Sequence, residues 1–279
     1  MRIGFQGVRG AFSEAAIYQE YGDGDLVETV GFDNFEEVFD AVAQGDLDAG
    51  MIPVENSIAG SVSRNYDFFL SKPVTAIREV YAPIRHCLLA KQGVRLAEIR
   101  AVLSHPMALK QCEDFLKDLN VKSMPEYDTA GAAKMVAEGD ELTRGAIASA
   151  LAGTIYDLDI LAEDIQTMDI NMTRFLVIAR NAPEDIKREK TSIAFKTEHH
   201  PGALEECLHK LTKNKINLTK IQSRPIPENP WEYVFYADFE GGTDQENVQR
   251  ALNELESESK YLKVLGSYPM GDKGAPRAP

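Results

Sequence analysis

The sequence is poor in cysteine and has no long apolar run, and both scarcities exclude classes of protein. Its 279 residues include 3 cysteines, Cys87, Cys112 and Cys207. They are too few and too scattered for a disulfide framework or a CxxC metal site. No apolar run approaches the roughly 20 residues that cross a bilayer, and the start, MRIGFQGVRG, is too polar for a signal peptide. We therefore expect a cytoplasmic protein with reduced, buried thiols, no membrane partner and no bound metal.

Positive charge is also in short supply. The chain has 30 Lys and Arg against 44 Asp and Glu, which gives a formal net charge of -14 and a pI near 4.9. The resulting field repels nucleic acid phosphates and anionic membrane surfaces, so neither is an expected partner. An anionic ligand must be captured by a local arrangement of donors, against the field of the whole chain.

Motifs for nucleotides and for common hydrolytic chemistry are missing as well. Gly4, Gly7 and Gly10 do not have the GxGxxG spacing, and no GKS/T loop occurs. The sequence has no HExxH spacing for a metal ion, and it fixes no Ser-His-Asp order for a nucleophile. The residues alone therefore give no support to nucleotide binding or to metal-dependent hydrolysis.

What the chain does have, up to about residue 180, is a repeated order of apolar strand, polar turn and amphipathic helix. In NFEEVFDAVAQG, for example, one apolar face is formed at i, i+3, i+4 and i+7 by Phe35, Val38, Phe39 and Val42. Alternation of this kind predicts an α/β fold with parallel sheets covered by helices.

Polar side chains stand at the turns of this pattern, where strands end and helices begin. They are Gln6, Asn56, Ser57, Ser104, His105, Thr129 and Ser149. Taken singly, each is better explained as a helix cap than as a ligand, except His105, for which the two are even. Together they could hold carboxylates at the carboxyl ends of the strands, because helix amino termini there attract anions. His86, ahead of the apolar CLLA, is expected to be structural, and Glu55 to be a helix-dipole partner rather than an acid or base.

One core strand has an unusually polar start. In DINMTRFLVIARN, the apolar stretch from Phe175 to Ala179 predicts a buried strand, yet Asn171, Thr173 and Arg174 precede it. Burial of a core strand gives no reason for three polar side chains at its mouth. The residues alone leave the role of this polar start open.

The pattern changes after the charged segment NAPEDIKREK, which predicts a linker and a domain boundary. Residues 190–270 read as strand, helix, strand, strand, helix, strand, the βαββαβ order of a ferredoxin-like domain. Residues 271–279 are expected to form a disordered tail. Gly202 after Pro201 frees N–H groups at a helix start, which suits an amino acid carboxylate. The alternative is that Gly202 only makes the turn.

Several motifs resemble those of one enzyme family, in the family's order and spacing. NMTRFLVIAR resembles the Thr-Arg-Phe signature of prephenate dehydratases, IPVENSIAGSV resembles their Pro-x-Glu-Asn segment, and RHCLLA and LSHPMALKQC fall at the matching places. GALEECL and QSRPIPENPWEYVFYADFEG resemble the Gly-Ala-Leu and Glu-Ser-Arg-Pro motifs of the ACT regulatory domain of these enzymes. The resemblance covers essentially the whole chain.

The resemblance implies a two-lobed catalytic part, like a periplasmic binding protein with an interlobe cleft, followed by an ACT domain. The catalytic part would take residues 1–182, with one lobe of about 1–80 plus 160–182 and the other of 81–159. The ACT domain would take residues 190–270. The strand from Phe175 would cross back between the lobes and deliver Thr173 into the cleft.

The implied activity is decarboxylating dehydration of prephenate to phenylpyruvate in phenylalanine biosynthesis. Arogenate dehydratase is the alternative, and a non-enzymatic amino-acid sensor is another. Aromatisation drives the reaction, so no metal, cofactor or covalent nucleophile is required. Thr173 would donate to the leaving hydroxyl, and Arg174 would clamp a carboxylate unless it makes a structural salt bridge. The other substrate-binding residues implied are Asn56, Ser57, Gln111, Thr129, Ser149 and Phe175.

The ACT resemblance implies feedback by phenylalanine, bound at a subunit interface of a dimer or tetramer. The effector residues implied are His200, Pro201, Gly202, Ala203 and Leu204 of one chain with Gln222, Ser223, Arg224 and Pro225 of another. Arg224 would help to hold its own loop. Gln222 stands where the family usually has Glu, which removes a charge from this site.

Overall fold

The computed structural model describes residues 1–226 and 229–273, without the side chains of 229–231. The strands are β1 (Arg2–Gln6), β2 (Glu28–Phe32), β3 (Ala49–Asn56), β4 (Gly60–Ser61), β5 (Thr75–Pro83), β6 (Cys87–Lys91), β7 (Ala101–Ser104), β8 (Lys122–Pro125), β9 (Arg144–Ala148), β10 (Leu158–Ala162), β11 (Met172–Ala179), β12 (Lys190–Lys196), β13 (Leu218–Ile226), β14 (Asn229–Glu240) and β15 (Tyr261–Tyr268). The helices are α1 (Phe12–Tyr21), α2 (Phe35–Gln44), α3 (Arg64–Ser71), α4 (Pro106–Gln111), α5 (Glu113–Leu119), α6 (Thr129–Glu138), α7 (Ala150–Ile155), α8 (Ala203–Lys213) and α9 (Glu246–Glu258).

Helix α2 shows how the sequence pattern becomes local structure. The Asn34 side chain accepts a hydrogen bond from the Glu37 N–H at 3.0 Å and so caps the helix start. Val38, Phe39 and Val42 are fully buried in the core of the first lobe, as their spacing predicts.

Two sheets organise the described residues, and both are mixed rather than parallel. The first lobe places its strands in the order β5-β11-β3-β1-β2, with β4 paired to β3. Here β1 runs parallel to β2 and β3, whereas β11 runs antiparallel to both of its neighbours. The second lobe has the order β10-β6-β9-β7-β8. The expectation of purely parallel sheets is wrong, because β11 returns from the second lobe and enters the first sheet from the opposite direction.

The chain crosses between the lobes twice. The first crossing joins the end of β5 at Pro83 to the start of β6 at Cys87, and the second joins Ala162 at the end of β10 to Met172 at the start of β11. Strand β10 pairs antiparallel with β6. The expected lobe limit at residue 159 therefore falls inside a strand of the second lobe.

The C-terminal elements β12, α8, β13, β14, α9 and β15 follow the predicted βαββαβ order, and their strands lie in the order β13-β14-β12-β15. One face of this sheet packs under α8 and α9 in a core that includes Ile193 and Phe239. The other face packs Tyr236 and Tyr268 into the same core as Tyr66 of α3. The C-terminal domain thus shares apolar packing with the first lobe.

The sheets of the C-terminal domain and the first lobe are continuous. Strand β15 pairs parallel with β5 where Gly266 meets Ala76. A Cβ at Gly266 would lie 2.2 Å from the Ala76 carbonyl oxygen, so only glycine allows this approach. Beyond β15, the Gly271 N–H donates to Glu79 at 3.0 Å. The start of the expected disordered tail thus contacts the first lobe, and residues 274–279 lie outside the described part.

The three cysteines are free and buried, as expected from the sequence. Burial raises the pKa of Cys87 to about 11 and that of Cys112 to about 12. Within the described part of the chain, no helix combines the length and the apolar character needed to span a bilayer.

Candidate active site

A cavity of about 670 Å³ lies between the two lobes. Its walls are formed by Gln6, Gly7, Ala11, Phe12, Ser13, Asn34, Phe35, Glu36, Arg64 and Phe68 of the first lobe and by His105, Tyr127, Asp128 and Thr129 of the second. The volume suits a small organic ligand enclosed by polar and aromatic side chains.

Several helices begin at this cavity, among them α1, α2 and α6. The starts of α2 and α6 are capped by the side chains of Asn34 and Asp128. The start of α1 follows Ala11, whose side chain gives no cap, so this helix presents its first N–H groups beside Phe12 and Ser13. A helix start of this kind attracts an anion through its N–H groups and its dipole.

Thr173 lies at the second crossing, at the start of β11, and is bound to Asn56. The Asn56 Nδ2 donates to the Thr173 Oγ1 at 3.0 Å and to the Asn171 Oδ1 at 2.8 Å. The Asn56 Oδ1 is fixed in turn by the N–H groups of Ile58 and Ala59. Because Thr173 accepts from Asn56 and has no acceptor among the described residues, its own O–H stays free to donate.

Thr173 is 8% exposed and does not line the interlobe cavity. This corrects the expectation that its side chain opens directly into the cleft. Thr173 is paired with Asn56 of β3 on one side and Ala82 of β5 on the other, which encloses it at the base of the lobes.

A second polar group at the crossings surrounds His86, which is 2% exposed. Its Nε2 lies 2.8 Å from the Gln111 Oε1, and its backbone N–H donates to the Gln166 Oε1 at 2.9 Å. The His86 ring meets the ring of Phe12 edge to face, with centroids 5.3 Å apart. Burial lowers the pKa of His86 despite the opposing hydrogen bond to Gln111, so the imidazole is neutral near pH 7. Phe12 therefore connects the cavity wall to this buried group.

Two buried polar atoms at the crossings have no partner among the described residues, the Nδ1 of His86 and the Nδ2 of Asn171. The two residues are linked, because the Ile84 N–H, two residues before His86, donates to the Asn171 carbonyl at 2.7 Å. A buried polar atom without a partner is costly, and water, an ion or a ligand can supply the missing bond. Both atoms lie at the crossings between the lobes.

The other predicted donors are distributed around the lobes. Thr129 lines the interlobe cavity, and Gln111 holds His86. Ser149 caps α7 and donates to the Gly10 carbonyl at 2.6 Å, so it joins the lobes from within. Ser57 lines a second cavity of about 330 Å³ at the junction with the C-terminal domain.

Arg174 is not a carboxylate clamp of the cleft. It is 4% exposed and lies on the opposite face of β11 from Thr173. Its Nε lies 2.5 Å from Glu79, its Nη1 2.5 Å from Asp238, and its Nη2 donates to the Tyr268 hydroxyl at 3.2 Å. The structural salt bridge, the alternative interpretation, is therefore correct.

Phe175 also lies away from the cavity. It is fully enclosed in the apolar core of the first lobe with Phe5, Val80 and Val177. Its alternation with Arg174 along β11 places it over α1 rather than at a ligand. The assignment of Phe175 to substrate binding is therefore wrong.

The contacts of Arg174 belong to a buried ion cluster between the first lobe and the C-terminal domain. Lys190 Nζ lies 2.6 Å from Glu79, and the Ser192 hydroxyl donates to Asp238 at 2.5 Å. Burial alone would raise the pKa of Asp238, but Arg174 and Ser192 outweigh it and hold that pKa below the usual range. Burial likewise opposes the charge of Arg174, yet Asp238 and its neighbours keep its pKa high. Within this cluster each buried charge has an opposite partner.

The proposed effector residues fall in two places. His200, Pro201, Gly202, Ala203 and Leu204 form the start of α8, where Gly202 has φ +93° and no side chain caps the helix. Gln222, Ser223, Arg224 and Pro225 lie on β13, the outermost strand of the sheet. Arg224 does not hold its own loop. It binds α3 of the first lobe, at 2.7 Å from Asp67 and 3.1 Å from the Ser63 hydroxyl.

The sequence interpretation did not assign most residues of the cavity wall to the site. Phe12 and Arg64 line the cavity, and His86 was assigned a structural role only. Arg64 is the first residue of α3, and nothing in the sequence of this helix indicates which polar side chain meets the cleft. Among residues 1–226 and 229–273, no group of three or more His, Cys, Asp or Glu is placed to hold a metal ion.

Known proteins match this chain over almost its whole length. Residues 3–183 match the family model described as prephenate dehydratase. Arogenate dehydratase/prephenate dehydratase 2, a chloroplastic protein of Arabidopsis thaliana, is 42% identical over 97% of this chain and 73% of its own length.

Two solved structures share the fold. Prephenate dehydratase from Arthrobacter aurescens in complex with L-Phe is 32% identical, with a TM-score of 0.89 over 98% of this chain and 91% of its own. A protein described as a novel type of quorum-quenching acylase is also 32% identical, with a TM-score of 0.88 over 96% of this chain and 98% of its own. The family match spans more than half of the chain, and the chain therefore belongs to the prephenate dehydratase family.

Proposed function

We propose that this protein, a carbon-oxygen lyase by family, converts prephenate to phenylpyruvate in phenylalanine biosynthesis. The observation that carries the proposal is the pair formed by Thr173 and Asn56, in which the amide orients the threonine hydroxyl and leaves its proton available. Unpartnered polar atoms of His86 and Asn171 lie at the same crossings, and Phe12, whose ring contacts that of His86, lines the cavity.

We assign the roles from the family motif and from the cavity wall. Thr173 does not line the cavity, so its hydroxyl reaches the departing ring hydroxyl when the substrate extends from the cavity to the crossings. A neutral threonine is a poor acid, and Thr173 therefore acts as a hydrogen-bond donor. The start of α1 and the Thr129 hydroxyl donate to the carboxylates of the substrate. The ring carboxylate loses its charge as CO₂ departs, so a less hydrated cavity favours the reaction. Aromatisation of the ring supplies the driving force, and we propose that no cofactor takes part.

Arogenate is a second candidate substrate, since it carries an ammonium group where prephenate carries a keto group. The carboxylates of Glu36 and Asp128 both stand on the cavity wall, and a carboxylate favours an ammonium. The Arabidopsis relative is named for both activities. Prephenate stays the first proposal, and the ratio of the two kcat/KM values decides.

We also propose that residues 190–270 form an ACT domain that binds phenylalanine at the interface of a dimer or tetramer. The A. aurescens relative was solved with L-Phe. In this chain the uncapped start of α8 at Gly202 suits an amino acid carboxylate. Strand β13 lies at the sheet edge, and its Ile221 is exposed. An exposed apolar residue on an edge strand suits a contact with a second subunit.

We propose a cytoplasmic location, which the free, buried cysteines support. The net charge of -14 supports the absence of nucleic acid and membrane partners.

The test is a side-by-side measurement of kcat/KM for prephenate and arogenate, with and without phenylalanine, and of the oligomeric state by light scattering. Turnover of prephenate that exceeds turnover of arogenate is expected. Binding without turnover of either compound would show a sensor and would refute the enzymatic proposal. A monomer whose activity ignores phenylalanine would refute the regulatory one.

A further inference from the structure

Arg64 stands on the wall of the interlobe cavity with a free charge. It is the first residue of α3, its side chain is exposed, and it has no hydrogen bond or ion pair with any residue that the structure describes. Among the described residues that line the cavity, only Arg64 carries a permanent positive charge.

The carboxylates on the same wall are already engaged. Glu36 lies 3.7 Å from Lys72, and Asp128 caps α6 through the Gly131 N–H. Neither contact involves Arg64, so its guanidinium is not paired with either carboxylate.

The other cations near the crossings are engaged elsewhere. Arg174 and Lys190 belong to the buried ion cluster, and Arg9 pairs with Glu14 at 3.4 Å. In a chain of net charge -14, a local cation favours the binding of a dianionic substrate. Arg64 is the cation that the described cavity leaves for this task.

The helix that carries Arg64 is held by the C-terminal domain. Arg224 binds Ser63 and Asp67, on either side of Arg64, and the Tyr236 hydroxyl also donates to Asp67 at 3.0 Å. At the other end of α3, the Lys263 Nζ donates to the Phe69 carbonyl at 2.6 Å. The position of α3, and with it that of Arg64, therefore depends on the C-terminal domain.

We propose that Arg64 binds a carboxylate of the substrate in the interlobe cavity and that Arg224 is a positioning residue for it, acting through α3. This inference rests on the proposed dehydratase function. A guanidinium binds a carboxylate with two parallel hydrogen bonds, whereas glutamine offers neither the charge nor the fork. The contact is made in the ground state and in the transition state alike, so its loss acts on KM rather than on kcat.

The experiment compares Arg64→Gln with the wild type on prephenate. KM is expected to rise ~10- to 100-fold, as befits a lost hydrogen bond to a charged group, with kcat changed less than ~3-fold. Arg64→Lys restores the charge without the fork and should fall between the two. Arg95→Gln, which removes an exposed arginine paired with Glu98 on the second lobe, is the matched control and should leave both constants unchanged.

A salt series gives a readout that a structural role would not move. Salt screens the attraction of Arg64 for the substrate in the wild type alone, whereas it screens the repulsion by the net charge of -14 in both proteins. The ratio of the Arg64→Gln KM to the wild-type KM should therefore fall as ionic strength rises. Equal salt dependence in the two proteins would contradict the proposal.

Arg224→Gln tests the positioning step. It should raise KM ~3- to 10-fold in the wild type, as for one weakened ion pair, and have no further effect in Arg64→Gln. Lys213→Gln, which breaks the pair with Glu254 inside the C-terminal domain, is the control. Equal effects of Arg224→Gln in both backgrounds would overturn the positioning role.

The role of Arg64 and the proposed dehydratase function can be refuted independently of each other. If the wild type turns over prephenate and Arg64→Gln keeps its KM, or loses kcat alone, Arg64 does not bind the substrate. If the wild type turns over neither prephenate nor arogenate, the dehydratase function itself is wrong.

Discussion

Thr173 and Arg174 are neighbours in the chain, but they face opposite sides of β11. The polar and charged groups are paired with one another on one side and lack partners on the other. On the C-terminal side, Arg174, Glu79 and Asp238 are buried and paired with one another. On the cleft side, the polar atoms of His86 and Asn171 are buried without partners, and Arg64 stands free on the cavity wall. A set of charges that is complete within the protein holds the structure together, whereas an incomplete set leaves room for a ligand.

The buried ion cluster around Arg174 connects the C-terminal domain to the first lobe. It adds little to the free energy of unfolding. A buried ion pair contributes little compared with apolar side chains of the same volume, because both charges lose their water. Its geometry is nevertheless specific. Glu79 on β5 and Asp238 on β14 can both reach Arg174 only when the C-terminal domain is docked in one position. The cluster therefore fixes how the domain sits on the first lobe.

Removing one charge from the paired side should have the largest effect on stability. Arg174→Gln leaves Glu79 and Asp238 buried with fewer partners, and we expect a loss of about 3 to 5 kcal/mol in the free energy of unfolding. Urea denaturation measures it. A loss below about 1 kcal/mol would mean that the cluster is hydrated in solution and that the comparison is wrong.

Removing the hydroxyl at Thr173 should act on turnover instead. Thr173→Ala is expected to lower kcat by ~10²-fold or more, as for the loss of one donor to a developing negative charge. Thr173→Ser, which keeps the hydroxyl, should retain most of the activity. Circular dichroism checks that Thr173→Ala stays folded, and an unchanged kcat would remove Thr173 from the mechanism.

The buried imidazole predicts a pH dependence. Burial holds the folded-state pKa of His86 below its ordinary 6.5, so below that pH the unfolded chain binds a proton that the folded chain does not. As the pH is lowered from about 6.5 to the folded-state pKa of His86, the free energy of unfolding should decrease by up to about 1.4 kcal/mol per pH unit. Urea midpoints at pH 7, 6 and 5 measure this slope. His86→Gln should flatten it, and His209→Gln, at an exposed position, should not.

The smallest effect is expected for Arg64, the unpaired counterpart of Arg174. Arg64→Gln should change the free energy of unfolding by less than about 0.5 kcal/mol, because no partner loses its bond. The same substitution at two arginines thus separates the two sides of β11. If Arg64→Gln lowered the free energy of unfolding as much as Arg174→Gln does, the two sides of β11 would not differ in this way.

Local patterns predicted much of the fold, and long-range contacts limited the rest. The helix around Val38 and the buried strand after Phe175 follow from apolar spacing alone. The pairing of Thr173 with Asn56, 117 residues apart, needed the motif resemblance to be suspected. Nothing in the sequence marks Asp238 as the partner of Arg174, because the residue type does not show whether a charged side chain is buried or exposed to solvent. The orientation of each residue on β11 was decided by the domain that covers it.

Shared architecture does not decide the reaction. A structure with the same fold and 32% identity is described as an acylase. The reaction must be argued from the arrangement at the crossings, where Thr173 and Asn56 meet, and from measured turnover.

The pairing of β15 with β5 at Gly266 has a mechanical consequence. The C-terminal domain and the first lobe share one hydrogen-bonded sheet and so form one frame. The second lobe is attached to that frame by two covalent hinges, at residues 83–87 and 162–172. If the lobes close over a ligand, the chain bends at these two segments. They include His86 and Asn171, so the hinge residues and the candidate site residues are partly the same.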